Sequence, residues 1–125
     1  MPTNIGQIRA KAAWGFAQGK SKEYGQYVKK FPMYIKTNGL VNAVAFAYSK
    51  RGKPNKPKNE WEQLYDDIQT YFEVHDPNEN IKGLLSQKKS LMAVLVEDVS
   101  DEQLRTITAE TLALFTWLKR FVSND

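Results

Sequence analysis

The stretch KEYGQYVKKFPMYIKTNGLVNAVAFAYSK, residues 22–50, carries the strongest structural signal in the chain. Residues 22–37 have the apolar spacing of a helix, and Pro32 is expected to kink that helix near Lys30 because proline removes a backbone hydrogen bond. Thr37-Asn38-Gly39 predicts a tight break. The segment after the break is apolar on almost every side, which indicates a short helix near the centre of the molecule.

Helical patterns continue on both sides of this stretch, and no convincing strand pattern interrupts them. Helix starts are predicted at Asn4, Ser21, Asn59 and Ser100, where a capping side chain precedes an apolar stripe. Residues 76–79, Asp-Pro-Asn-Glu, predict a further start with proline in the first turn. We therefore expect an all-α fold, a compact bundle of about six short helices forming a single domain over residues 1–125.

Two apolar stripes supply much of the expected core. The first lies on the helix after Asn59, where its spacing favours core packing over an exposed platform for stacking bases. Its members are Trp61, Leu64, Tyr65, Ile68, Tyr71 and Phe72. The second stripe follows the predicted start at 76–79 and consists of Ile81, Leu84, Leu85, Leu91, Met92 and Leu95.

Charge is distributed unevenly along the chain. Residues 1–58 contain twelve of the eighteen Lys and Arg and one acid, Glu23, for a net charge of +11. Residues 59–125 contain six bases and thirteen acids, for a net charge of −7. A basic half indicates an anionic partner, most often nucleic acid. The acidic half indicates a second contact, with a basic protein surface.

Composition excludes several classes of protein. The chain has no cysteine, which rules out disulfides, thiolate zinc sites and a cysteine nucleophile. No segment reaches the about 18 apolar residues of a membrane span, and the N-terminus lacks the apolar core of a signal peptide. We expect a cytoplasmic protein with no cofactor, no bound metal and no membrane contact.

No catalytic motif stands out. The single histidine, His75, is expected to be a helix C-terminal cation or a solvent-exposed residue. Neither an Arg-x4–6-His motif nor a glycine-rich phosphate loop is present. The acids Glu62, Asp66, Asp67 and Glu73 share one predicted helix, where two of them could hold a metal ion, although a solvated acidic face is the favoured interpretation. We predict that the chain is not an enzyme.

The remaining chemistry is recognition by basic side chains. Lysines spaced along a surface can follow phosphates without reading bases, and Tyr24, Tyr27 and Tyr34 lie among them and could add stacking. The loop RGKPNKPK, residues 51–58, adds further bases between helix-breaking glycine and prolines. The predicted nucleic-acid-binding residues are Lys29, Lys30, Lys36, Lys50, Arg51 and Lys53.

Two segments resemble a known family. YVKKFPMYIKTNGLVNAVAFAYSK, residues 27–50, resembles the signature block of the small helical subunit of the type III-B (Cmr) CRISPR RAMP effector complex. The shared marks are the Tyr-x-Lys-Lys-x-Pro run, the Lys-Thr-Asn-Gly-Leu break and the small-apolar helix ending in Ser-Lys. TAETLALFTWLKRF, residues 108–121, resembles the C-terminal helix of that family. Residues 51–99 are the least diagnostic part, and loop 51–58 is not a family mark.

The resemblance implies a non-catalytic all-α subunit of a ribonucleoprotein. Copies would stack as a minor filament beside the backbone RAMP subunits, along the CRISPR RNA and its target RNA, in antiviral defence. Lys29, Lys30 and Lys36 match the signature block, as do Asn38 and Gly39 at its break. Lys119 and Arg120 match the C-terminal helix. The implied partners are CRISPR RNA and target RNA, other RAMP effector subunits and neighbouring copies of the chain itself.

Two other functions stay open. One is a free-standing helical nucleic-acid-binding protein, although the helix after the 37–39 break is too apolar to lie in a groove of DNA. The other is a metal-dependent nuclease that uses the acidic helix, for which Asp66 is the residue to test.

Overall fold

The computed structural model describes residues 4–87 and 89–122, and this part of the chain is all-α. Its helices are α1 (Ile5–Ala17), α2 (Lys22–Asn38), α3 (Leu40–Ser49), α4 (Glu60–Thr70), α5 (Lys82–Leu85), α6 (Leu91–Glu97) and α7 (Asp101–Phe121). A π-helical turn, Tyr71–His75, continues α4. The predicted fold class is confirmed, with seven helices in the described residues in place of about six. Residues 1–3, 88 and 123–125 of the predicted domain lie outside the described part, and the single domain stays a prediction.

The four predicted capping residues begin helices as expected. The side chains of Asn4, Ser21, Asn59 and Ser100 each accept a hydrogen bond from the backbone N–H three residues later. At Ser100 the side chain of Gln103 also accepts from the Ser100 backbone N–H, which completes a capping box. Local sequence therefore sets the start of α1, α2, α4 and α7.

The predicted helix start at residues 76–79 is wrong. The Asp76 carboxylate accepts hydrogen bonds from the backbone N–H groups of Asn78 (3.0 Å) and Asn80 (2.9 Å) and so closes a turn. Glu79 has a left-handed backbone with φ of 49°. The next helix, α5, begins only at Lys82, and α6 begins separately after Ser90, so the expected stripe from Ile81 to Leu95 is divided between two short helices.

The core lies where α2, α4 and α7 converge with α1 and α3. α7 packs against α1 and α2, and α2 also packs against α3 and α4. The predicted aromatic stripe runs along α4 into the π-helical turn. It is core, since all of its members are buried except Trp61, which is half-buried. α3 buries Leu40, Ala43, Val44 and Ala47 but exposes Asn42 and Ser49, so it covers one side of the bundle rather than running through its centre.

Ion pairs inside the molecule join the basic half to the acidic half. Arg9 pairs with Glu110 at 2.7 Å, Lys20 with Asp67 at 2.8 Å, and Lys58 with Asp66 at 2.6 Å. Each pair takes its base from residues 1–58 and its acid from residues 59–125. Part of the charge asymmetry is therefore neutralised within one chain.

Candidate nucleic-acid interface

One face of α2 forms an open groove of about 510 Å³. Its lining residues follow helical spacing, so they share a face of the helix. They are Lys29, Lys30, Met33, Tyr34, Thr37 and Asn38. Met33 is 67% exposed, and the two lysines are exposed beside it. The groove therefore combines two ammonium groups with an apolar floor, which suits a phosphate and the flat face of a base.

Pro32 does not divide this face. α2 is a single helix from Lys22 to Asn38, so the lysines before and after Pro32 lie on one element. Lys36 is exposed on it, seven residues after Lys29, but it does not line the groove. The size of the bend at Pro32 stays a prediction.

A row of half-buried aromatic rings connects the groove to α3 and α4. The Tyr34 ring centroid lies 5.1 Å from that of Phe46, and Phe46 meets Trp61 edge-on at 5.1 Å. Trp61 in turn stacks on Tyr27 at 4.1 Å and 13°. The Lys50 Nζ lies 5.4 Å from the Phe46 ring centroid, within range of a cation–π contact. The row thereby places Lys50 on the same continuous surface as Lys29 and Lys30.

Arg51 is held against α3. Its guanidinium carbon lies 3.6 Å from the centroid of the Tyr48 ring, and its Nε donates a hydrogen bond to the Tyr48 carbonyl at 2.9 Å. The guanidinium is still exposed. Arg51 therefore has a packing role at the end of α3, where its charge is held over the Tyr48 ring.

The loop at residues 51–58 is anchored at both ends. The Asn59 side-chain amide donates to the Lys50 carbonyl at 2.8 Å, and the Lys58 Nζ donates to Asp66. Between these anchors Lys53 and Lys56 are exposed, and the Lys56 N–H donates to the Lys53 carbonyl at 3.1 Å in a turn. Lys53 and Lys56 therefore project from a closed loop, whereas the charge of Lys58 is paired within the chain.

All six predicted binding residues are exposed. Lys29 and Lys30 line the groove beside Tyr34, and Lys50 contacts Phe46, the next ring of the row. Arg51 contacts Tyr48 outside the row, and Lys36 and Lys53 do not line the groove. Sequence reasoning missed Phe46 and Trp61 as the links in this row. The spacing of Phe46 and Lys50, one helical turn apart on α3, was the available signal.

Tyr24 is not available for stacking on a base. It is fully buried, and its hydroxyl donates to the Asp67 carboxylate at 2.7 Å. Burial, reinforced by the charge of Asp67, raises the pKa of Tyr24 well above its ordinary value. The expectation that Tyr24 adds to an RNA surface is wrong because its ring belongs to the core, while Tyr27 and Tyr34 remain half-buried at the edge.

The acidic residues of α4 do not converge on a metal site. Asp67 accepts from Lys20 and Tyr24, and its burial raises its pKa despite those donors. Asp66 is paired with Lys58, and Glu73 accepts from Gln69 at 3.0 Å. Across residues 4–87 and 89–122, no three His, Cys, Asp or Glu side chains are grouped so that they could hold a metal ion. This geometry gives the nuclease alternative no support.

His75 is a half-buried side chain packed against aromatic rings. Its ring meets Phe16 edge-on at 5.7 Å and lies 6.5 Å from Tyr71. Burial lowers the pKa of His75, and the nearby charge of Lys11 lowers it further. The ring is half-buried against Phe16 of α1, so the expectation of a solvent-exposed residue is wrong. The lowered pKa disfavours the other expectation, a cation at the helix end.

Comparison with known proteins points to one family. The family model described as CRISPR-associated protein (Cas_Cmr5) matches residues 5–124. No curated protein matches the chain. Among the described residues, none of the helices has both the length and the apolar content needed to cross a membrane.

Proposed function

The chain belongs to the Cas_Cmr5 family, which implies a small subunit of a type III-B CRISPR effector complex, and from this membership we propose a non-catalytic, RNA-supporting role. In this proposal the subunit contacts CRISPR RNA paired with target RNA, the backbone RAMP subunits and neighbouring copies of itself. Its place is a cytoplasmic ribonucleoprotein used in antiviral defence, and one domain spans residues 1–125.

The observation that carries the RNA contact is the groove on α2 and its continuation to Lys50. Lys29 and Lys30 flank an apolar floor, and the ring row from Tyr34 to Phe46 leads to the ammonium group of Lys50. Such a surface binds phosphates through charge and accepts bases without selecting sequence. In this proposal, base pairing between the guide RNA and the target RNA selects the sequence. The subunit itself therefore does not need to recognise particular bases.

A free-standing helical nucleic-acid-binding protein is the weaker alternative. A recognition helix must present its polar face to a groove of the duplex. α3, which follows the break at Gly39, buries four apolar side chains and presents half-buried aromatic rings at its edge. α3 packs its apolar face into the core, so specific recognition of a DNA duplex is not the function that the surface favours.

The test combines the complex with the isolated chain. Tagged wild-type protein, purified gently from its native cells, should be recovered in a large particle with short repeat-derived guide RNAs. The triple variant Lys29→Glu, Lys30→Glu, Lys36→Glu should bind a short RNA more weakly in fluorescence anisotropy. Its plot of log affinity against log salt should flatten by roughly one unit for each phosphate that the variant no longer binds.

A matched triple variant controls for net charge. Lys11→Glu, Lys22→Glu, Lys82→Glu makes the same change in charge at exposed positions outside the groove. This control variant should keep most of the wild-type salt dependence of RNA binding. If the groove variant has an unchanged salt slope, or if both triple variants lose RNA equally, the assignment of RNA binding to the α2 groove is wrong. Recovery of the tagged protein without guide RNA would contradict the proposed role altogether.

A further inference from the structure

A second aromatic cluster lies on α1 and α7, and it shares no residue with the α2 groove. We define the aromatic patch as Trp14, Trp117 and Phe121. Trp14 is 58% exposed, and its ring meets Phe121 edge-on at 5.2 Å. Phe121 lies 6.1 Å from Trp117, and the Arg120 guanidinium lies 5.0 Å from the Trp117 ring. Trp117 and Phe121 are half-buried, so Trp14 is the exposed ring of the patch. A large exposed ring that rests on other aromatic rings marks an interaction surface.

The charges around the aromatic patch are positive. Lys11 precedes Trp14 by one helical turn, and Lys119 and Arg120 flank it on α7. All three are exposed. Neither residues 5–17 nor residues 111–122 contain an acid. Tryptophan and arginine are enriched at the centres of protein interfaces, so this end of the molecule fits a partner with apolar and acidic side chains.

The opposite end of α7 has the complementary chemistry. We define the acidic end as residues 96–102, which contain Glu97, Asp98, Asp101 and Glu102. Val96 within it is 65% exposed. Lys89 pairs with Asp98 at 2.7 Å and lies 4.0 Å from Glu97, and Arg105 is exposed one turn into α7. Four acids within seven residues leave this end negative despite the two bases.

Helix α7 sets the separation of the two surfaces. It has 21 residues, so it is about 31 Å long, with the acidic end at its start and the aromatic patch at its finish. Two unlike surfaces at opposite ends of one helix suit a heterologous contact. In such a contact, the aromatic patch of each copy binds the acidic end of the next copy.

We propose that the aromatic patch of one copy docks onto the acidic end of a second copy. The inference rests on the proposed function, in which neighbouring copies meet, and names the surfaces that would meet. Trp14 packs over Val96 of the next copy, while Lys119 and Arg120 face Asp101 and Glu102. Because like ends repel, the contact has one polarity along a row of copies.

The test measures self-association of the full chain by sedimentation velocity at low ionic strength over a range of concentrations. Wild-type protein should shift to larger species as concentration rises. Trp14→Ala should weaken the association constant by about tenfold or more, as expected for an interface anchor. Met33→Ala, which truncates an equally exposed apolar side chain outside the aromatic patch, should leave it unchanged.

Charge reversal provides the sharper experiment. Lys119→Glu with Arg120→Glu makes both ends acidic, and Asp101→Lys with Glu102→Lys makes both ends basic. Each double variant should remain monomeric alone, whereas an equal mixture of the two should associate. Circular dichroism checks that both fold, since each places a charge against the dipole of α7. A wild type that stays monomeric throughout, or a mixture no more associated than its components, would overturn the proposal.

One further variant separates this proposal from RNA binding. Lys29→Glu with Lys30→Glu changes the net charge as much as the Lys119 and Arg120 reversal does. It should weaken RNA binding and leave self-association intact. Loss of self-association in this variant would show that overall charge, and not the aromatic patch, drives the contact. Intact RNA binding in it would count against the proposed function alone.

Discussion

Arg9 and Glu110 lie 101 residues apart in the chain and form a two-pronged ion pair. The Arg9 Nε donates to one carboxylate oxygen of Glu110 at 2.7 Å, and the Nη2 donates to the other at 2.8 Å. Glu110 is only 2% exposed, and Tyr71 and Asn78 also donate to its carboxylate. The pair ties α1 to α7 and connects both to the π-helical turn.

Arg9→Ala should destabilise the protein by about 3 kcal/mol, because it leaves a buried carboxylate without its cation. Urea unfolding followed by circular dichroism measures the free energy of unfolding. Arg105→Ala on the exposed surface of α7 is the control and should change that free energy by less than about 0.5 kcal/mol. Equal losses in the two variants would contradict a special role for the Arg9 pair.

Glu110 should make the folded state sensitive to acid. Burial alone would raise its pKa, but the hydrogen bonds from Arg9 and Tyr71 and the charge of Arg9 outweigh burial and lower it below its ordinary 4.5. A lowered pKa in the folded state gives stability that is present above the unfolded value and is lost as the pH falls through the folded value.

Glu110→Gln should therefore lose less free energy of unfolding than wild type when the pH falls from about 5 to about 3. Asp67 contributes in the opposite direction, because its raised pKa favours the folded state as the pH falls. That contribution is the same in both proteins and cancels when Glu110→Gln is compared with wild type. Urea titrations at several pH values give both slopes. If wild type and variant show parallel pH dependence, the lowered pKa of Glu110 is wrong.

Gly39 joins α2 to α3 in a backbone conformation reserved for glycine. Its φ is 85° and its ψ is 159°, its N–H donates to the Ile35 carbonyl, and its own carbonyl accepts from Ala43. Gly39→Ala should cost about 1–3 kcal/mol from backbone strain alone, since a Cβ there would meet nothing within 4 Å.

Gly15→Ala is the matched control, because a Cβ at Gly15 inside α1 would also meet nothing within 4 Å. It should stabilise the protein by up to about 1 kcal/mol through helix propensity. Thermal unfolding of the two variants should shift in opposite directions. A shift in the same direction would show that factors other than backbone conformation dominate at Gly39.

What could be predicted from the sequence depended on the range of the interactions involved. The caps at Ser21 and Ser100 are local, and they were predicted because partner and cap are three residues apart. The turn at Asp76 was not predicted, since the residues Asp-Pro-Asn-Glu at 76–79 can also begin a helix. There the Asn78 amide reaches Glu110, 32 residues away, and that hydrogen bond helps to fix the turn.

The same distinction applies to the candidate interface. Exposure of Lys29, Lys30 and Lys50 followed from charge and helical spacing. The row from Tyr34 through Phe46 to Trp61 depends on how three helices pack, which spacing within one helix does not reveal. Burial of Tyr24 likewise depends on Asp67, 43 residues later in the chain.

His75 should titrate with a pKa below its ordinary 6.5, because burial and the charge of Lys11 both oppose its protonation. As the chain has one histidine, its imidazole resonances in a proton NMR titration are unambiguous. A lowered folded pKa means that His75 costs stability as the pH falls below the unfolded value. Lys11→Gln should raise the pKa toward 6.5, and a wild-type pKa at or above 6.5 would contradict the effect of burial and of Lys11 on the ring.

Two lysines of the same loop should differ in their contribution to RNA binding. Lys58 is already paired with Asp66, and the Asp66 hydrogen bond raises the pKa of its ammonium group, so its charge is balanced within the chain. Lys53 is exposed on the loop between the two anchors. Lys53→Gln should therefore lower the slope of log affinity against log salt by about one, as expected when one phosphate is no longer neutralised.

Lys58→Gln removes the same formal charge but should change that slope clearly less. The Asp66 carboxylate that loses its partner is partly exposed, so solvent and salt screen its charge from the RNA. Fluorescence anisotropy with one short RNA at several salt concentrations measures both slopes under identical conditions. Equal slopes in the two variants would mean that loop 51–58 acts only through its total charge. A larger change for Lys58→Gln would mean that the ion pair with Asp66 opens on RNA and that Lys58, not Lys53, binds the phosphate.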